Sequence, residues 1–124
     1  MEFAFTSEIA ESLYAALSAH FPVFSEYLAT ESAFTGDDGR HSYSGIWADF
    51  SHWVRSDVAD CSGPGIEWLG SYASACFGSK DSEISSAVAT CFLENVAGEA
   101  VGTKLAPHLS SAARVYMNKW CAAS

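Results

Sequence analysis

Apolar side chains recur with a helical period along nearly the whole chain. The first stripe is Ile9, Leu13, Ala16, Leu17 and His20, at positions i, i+4, i+7, i+8 and i+11 of one helix face. No segment alternates apolar and polar residues over a useful strand length. The spacing therefore predicts an all-α fold.

Short local signals predict where the helices of the first half begin and end. Thr6 or Ser7 can cap the first helix, and Pro22 can open the second, because proline is tolerated in a first helical turn. Residues 35–41 are rich in glycine and short acids, as is typical of a turn or loop. A third helix is predicted over about residues 44–55, with Phe50 and Trp53 facing the core.

The second half predicts further helices of the same kind. One helix ends at Gly78, and Asp81 or Ser82 caps the next, which stops near Gly98. A short helix and a longer one follow around Pro107, and the apolar stripe of the longer one is Ala112, Tyr116 and Trp120. We expect residues 1–124 to form a single all-α domain, a compact helical bundle of five to seven helices.

The charge balance narrows the class of partner. Asp and Glu number 15 against 6 Lys and Arg, a formal net charge of −9, yet 49% of the residues are hydrophobic, which favours a folded domain over disorder. Such a surface repels nucleic acid and anionic membranes and attracts basic proteins. The amino-terminal residues lack the basic start and apolar centre of a secretory signal, so we expect a cytoplasmic location.

The cysteines and histidines do not predict a metal or cofactor. Cys61, Cys76, Cys91 and Cys121 are expected to be reduced thiols, although a processed and oxidised chain would allow three disulfide pairings. Neither residue type shows the spacing of a zinc site. His20, on the first apolar stripe, is expected to be a core residue at a helix end.

Motifs for catalysis are also missing from the sequence. It contains no G-x-S-x-G, no phosphate-binding loop, and no calcium-loop order around residues 36–39. Residues 121–124 match the C-a-a-X prenylation pattern, but they lack the basic cluster that would support membrane attachment. We therefore expect a protein that is not an enzyme.

Two tryptophans beside acidic residues suggest a protein-binding surface. Trp47 and Trp68 lie off the apolar stripes of their predicted helices, and an aromatic anchor ringed by charge is a common energetic centre of an interface. Each would otherwise cover an edge of the core. The candidate partner-binding residues are Asp37, Asp38, Trp47, Asp57, Asp60, Glu67 and Trp68.

Residues 91–96, Cys-Phe-Leu-Glu-Asn-Val, resemble a helix of small bacterial immunity-like proteins of unassigned function, which are encoded beside polymorphic or type VI toxins. The resemblance extends over residues 40–120. It includes Gly45–Phe50, Pro107 and the aromatic last helix, but Ser110 replaces the glycine usual in that family. It implies an all-α fold without catalytic residues.

The resemblance also implies a role: binding and neutralising a cognate toxin. Acidity supports the same hypothesis independently, because an acidic inhibitor can pair with the basic residues that hold a toxin's substrate. The inhibitor would thus occlude the active or substrate-binding surface. The alternative is a self-associating structural or adaptor domain, in which the aromatic surface forms a homodimer.

Overall fold

The computed structural model describes residues 3–56 and 63–121, and these fold into an all-α bundle, as predicted. Helix α1 (Glu8–His20) begins at Ser7, whose hydroxyl accepts a hydrogen bond of 3.2 Å from the Ala10 amide. Helix α2 (Pro22–Glu31) follows after a single residue, and proline occupies its first turn. Both predicted starts are confirmed.

Helix α3 (Tyr43–Ser56) forms the centre of the fold. It packs against α1 and α2 and against several helices from the second half of the chain. Of its 14 residues 10 are buried, among them Phe50 and Trp53, which confirms the core positions predicted for these two. A helix with neighbours on several sides buries more than one stripe of its surface.

The chain continues through α4 (Pro64–Phe77) and a second long helical segment. This segment comprises α5 (Ser82–Val88), a π-helical turn at Ala89–Leu93, and a last turn, α6 (Glu94–Val96). The Asp81 carboxylate caps α5 by accepting a hydrogen bond of 2.9 Å from the Glu83 amide. The cap and the predicted end of α4 at Gly78 are both confirmed.

Helix α7 (Ala100–Leu105), a 3-10 turn (Ala106–His108) and α8 (Ser111–Cys121) complete the described chain. With α5 and α6 counted as one continuous helix, the described residues contain seven helices, within the predicted range.

The inner face of α8 differs from the prediction by one residue. Ala113 and Met117 are buried, whereas Ala112 and Trp120 of the predicted stripe are exposed. The buried pair continues from Leu109 at a spacing of four residues, and a shift of one residue rotates a helix face by about 100°. The predicted stripe is therefore wrong. Trp120 is left 44% exposed.

A two-residue parallel sheet was not predicted. Strand β1 (Ala4–Phe5) pairs with β2 (Arg40–His41), and the Arg40 guanidinium also donates hydrogen bonds of 2.9 and 3.3 Å to the Phe5 carbonyl. The pairing holds the segment before α1 against the segment before α3. Among the helices described, none combines the length and apolarity that crossing a membrane requires.

Candidate protein-binding surface

Trp47 is fully buried, so the expectation that it lies off the core-facing surface is wrong. Its ring packs on Phe92 and Tyr72, with centroid distances of 4.8 and 6.1 Å. The cause is the central position of α3, which places neighbouring helices over what the sequence presents as an outer flank. A partner cannot reach Trp47 in this fold.

Trp68 is half-buried in a stack that we call the Trp68 stack, formed by His20, Trp68 and Tyr72. Its ring lies 3.8 Å from His20 at 8° and 4.8 Å from Tyr72 at 16°. His20 is exposed at the end of α1, so its predicted place in the core is wrong. Glu67 is exposed beside Trp68. The stacking leaves less of the Trp68 ring available to a partner.

Asp37 and Asp38 are exposed in a tight turn. The Gly39 amide donates to the Gly36 carbonyl at 2.9 Å, and Gly39 has a φ of 78°, which favours glycine. Asp38 accepts a hydrogen bond of 2.9 Å from the Arg40 amide and pairs with the Arg40 guanidinium at 3.9 Å. An exposed pair of this kind contributes little stability.

The predicted site residues do not form one surface. The Asp37–Asp38 turn is fastened to β1 beside the start of α1, whereas Trp68 packs on the last residue of α1. The two ends of α1 are about 18 Å apart, because an α-helix rises 1.5 Å per residue. Asp57 and Asp60 lie outside the described residues.

Another surface combines half-buried aromatic rings with exposed acids, and we call it the aromatic–acidic face. Its rings are Phe3, Phe5 and Tyr14, with centroid distances of 4.8 Å between Phe3 and Tyr14 and 5.4 Å between Phe5 and Tyr14. Its acids are Glu8, Glu11 and Glu26, all exposed.

Phe3 lies where three shallow depressions meet. One of 380 Å³ is shared with Glu8, Glu11 and Arg40, and one of 280 Å³ with Tyr14 and Glu26. The third, of 330 Å³, includes His41 and is called the His41 depression below. Concave surface that combines aromatic rings with charged side chains suits the insertion of a partner's side chains.

The sequence contains one weak signal for this face. Phe3-Ala4-Phe5 places two aromatic residues two positions apart, which is the spacing of a strand face. The strand that pairs with it begins 36 residues after Ala4, and nothing local identifies that partner.

The Cys76 thiol is buried and poorly suited to act as a nucleophile. Burial raises the pKa of the Cys76 thiol, which accepts a hydrogen bond of 3.6 Å from the Tyr43 hydroxyl. A raised pKa reduces the thiolate needed for nucleophilic attack. Within residues 3–56 and 63–121, no three His, Cys, Asp or Glu side chains are arranged to hold a metal ion.

Two residues of the Cys91–Val96 segment make contacts inside the fold. Asn95 donates hydrogen bonds of 2.8 Å to the Cys91 carbonyl and 3.2 Å to the Ser51 hydroxyl. Glu94 accepts a short hydrogen bond from Tyr116 on α8. Both side chains therefore connect this helical segment to its neighbours.

Comparison of the chain with models of protein families, with curated proteins and with solved structures finds no match.

Proposed function

We propose that this chain is a non-catalytic acidic protein that binds a cognate antibacterial toxin and neutralises it by covering its active or substrate-binding surface. The single observation that carries the binding role is the aromatic–acidic face, where half-buried rings lie beside exposed carboxylates. The identity of the partner as a toxin rests on the resemblance of residues 40–120 to immunity-like proteins.

The mechanism is electrostatic attraction followed by occlusion. The net charge of −9 speeds the approach of a basic protein, and the acids of the face then pair with the lysines and arginines that would hold the toxin's substrate. Phe3 and Tyr14 supply apolar contact at the centre. Because Phe3, Phe5 and Tyr14 already pack on one another, little side-chain entropy is lost on binding.

The experiment that tests this function is capture followed by neutralisation. Tagged protein is incubated with lysate of the source cells, and retained proteins are identified by mass spectrometry. We expect one basic protein at near-equal stoichiometry, weakened by high salt. That protein should arrest growth when produced alone in bacteria, and co-production of the acidic protein should restore growth.

Charge reversals locate the contact surface. Glu11→Lys with Glu26→Lys should weaken capture about 100-fold, because two attractive contacts become repulsive. Glu67→Lys tests the Trp68 stack, and Glu83→Lys is the control, an exposed acid on α5 that belongs to neither surface. If the double variant and the Glu83→Lys control bind the captured protein with equal affinity, the aromatic–acidic face is excluded as the contact surface. A captured protein without toxicity would exclude the proposed role.

Self-association is the second candidate function, and α8 supplies the observation that favours it. Val115 is 59% exposed and Trp120 is 44% exposed on this helix, although both are large apolar side chains. Light scattering during size-exclusion chromatography distinguishes the two functions. A stable dimer that Trp120→Lys converts to a monomer would support the structural role.

A further inference from the structure

Asp49 carries a buried carboxylate that no cation neutralises within the described chain. It is 0% exposed on α3, and neither ion pair of residues 3–56 and 63–121 includes it. Its two oxygens accept hydrogen bonds of 2.7 Å from the Ser32 hydroxyl and 2.9 Å from the Ala33 amide. A buried charge held only by neutral donors attracts any cation that can approach it.

A directed chain of hydroxyls connects Asp49 to the protein surface. An ionised carboxylate only accepts hydrogen bonds, so the single Ser32 proton points to Asp49. The bond of 2.6 Å between Ser32 and Thr35 must then be donated by Thr35. The lone pairs of the Thr35 hydroxyl are left to accept, and no donor to them is present among the described residues.

The chain ends in the His41 depression. Ser32 and Thr35 line it, together with the ring of Phe3 and the imidazole of His41. Its volume of 330 Å³ is at the lower end of the range of about 300 to 1,000 Å³ common for small-ligand sites. Phe3 adds an aromatic ring, which attracts cations held over its face.

The His41 side chain does not repel a cation bound in the His41 depression. Burial lowers its pKa below the ordinary value of 6.5, only partly opposed by the charge of Asp49, so the imidazole is neutral at pH 7. The residue is 5% exposed, and its buried Nδ1 has no hydrogen-bond partner within the described chain. A buried polar atom without a partner is uncommon, so a hydrogen-bonding ligand or a water molecule is expected beside it.

We infer that the His41 depression binds the cationic head of a lysine or arginine side chain presented by the protein partner, with Thr35 as acceptor and Asp49 as the charge beneath it. The inference rests on the proposed function, since the partner supplies the side chain. A free alkylamine shares the same chemistry and is separated from it by the test.

The first arm of the test uses n-butylammonium as the probe and n-butanol as its neutral counterpart at matched ionic strength. Amide signals of Ser32, Thr35 and His41 are followed by ¹H–¹⁵N NMR up to about 100 mM, where millimolar binding saturates. We expect saturable shifts with n-butylammonium and binding about tenfold weaker with n-butanol, which lacks the charge. Equal affinities, or no saturable shifts, would overturn the inference.

Variants of two threonines provide a matched comparison. Thr35→Val removes the accepting hydroxyl and should weaken n-butylammonium binding about fivefold, whereas Thr35→Ser should retain it. Thr90→Val is the control, because Thr90 is exposed outside the depression and its hydroxyl bonds to the Ser86 carbonyl at 2.9 Å. Identical n-butylammonium affinities of the two Val variants would refute the role of Thr35. If Thr35→Val unfolds, the Thr35→Ser variant still tests whether a hydroxyl at this position is enough for binding.

The second arm uses the captured protein. Loss of its affinity with Thr35→Val but not with Thr90→Val would support a partner side chain in the depression. Unchanged affinity would overturn that assignment and indicate a free amine. Failure of the wild-type chain to capture a basic protein would reject the proposed function without altering the n-butylammonium result.

Discussion

Gly70 on α4 lies against the backbone of His108 in the 3-10 turn. A Cβ atom at Gly70 would be 2.7 Å from the His108 carbonyl oxygen. One turn later on α4, the Ser74 hydroxyl accepts a hydrogen bond of 2.8 Å from the Ser110 amide. Absence of a side chain at Gly70 thus allows the turn before α8 to pack directly on α4.

Gly70→Ala should lower the free energy of unfolding by about 3 kcal/mol, because backbone atoms of the turn cannot move aside as a flexible side chain can. Gly78→Ala is the control, since its Cβ would meet nothing closer than 3.6 Å and its φ is −85°. That change should stay within about 0.5 kcal/mol. Urea denaturation compares the two, and equal effects would contradict the close packing.

Among the described cysteines, Cys76 should react most slowly with alkylating reagents in the folded protein. Burial restricts reagent access and raises its pKa, so little thiolate forms at pH 8. Alkylation with N-ethylmaleimide followed by peptide mass spectrometry should find Cys76 at least about tenfold slower than the half-buried Cys91. Urea should abolish the difference. Rapid modification of Cys76 under native conditions would show that this part of the core opens.

His41 should make the protein less stable in mild acid. Its pKa is lower in the folded state than the ordinary 6.5, so the unfolded chain binds the proton more tightly. Stability attributable to His41 is complete above pH 6.5 and is lost as the pH falls through the folded-state pKa.

The free energy of unfolding is measured for the wild type and His41→Gln between pH 7.5 and 5. The wild type should lose more stability than the variant over this range. His52→Gln is the control, an exposed histidine on α3, and should follow the wild type. Parallel curves for wild type and His41→Gln would contradict the prediction.

Tyr116→Phe should cost about 1 kcal/mol, the usual contribution of one hydrogen bond. The lost bond joins the hydroxyl on α8 to the Glu94 carboxylate. Tyr14→Phe is a suitable control, because the half-buried Tyr14 hydroxyl makes no hydrogen bond within the described chain, and it should be nearly neutral. Thermal denaturation compares the two variants, and an equal loss would contradict a stabilising contribution from the Tyr116–Glu94 hydrogen bond.

Local signals predicted most helix boundaries correctly. Ser7, Pro22, Gly78 and Asp81 act on backbone groups within a few residues, so their effect does not depend on the rest of the fold. The inner face of α8 was wrong by one residue, because an apolar stripe containing Trp120 competes with one containing Met117. Packing against the bundle favours the second.

The candidate site was predicted less well. Asp37 and Asp38 are exposed and Trp68 is partly accessible, but Trp47 is buried. An aromatic residue on the flank of a helix can cover core or face solvent, and only the neighbouring helices decide which. Phe3 and Tyr14 were not predicted, because the strand that brings Phe3 against Tyr14 is held in place by pairing with a strand distant in sequence.

By itself the sequence determined the helical class and the positions of the helices, since capping and periodicity act between residues a few positions apart. The tertiary structure decided which faces are buried and where concave surface forms. Ser32 reaches Asp49 across 17 positions, and Arg40 reaches Phe5 across 35. Such contacts require the chain to close long loops, and burial of the core must offset the entropy that closure costs. No local sequence pattern therefore encodes them.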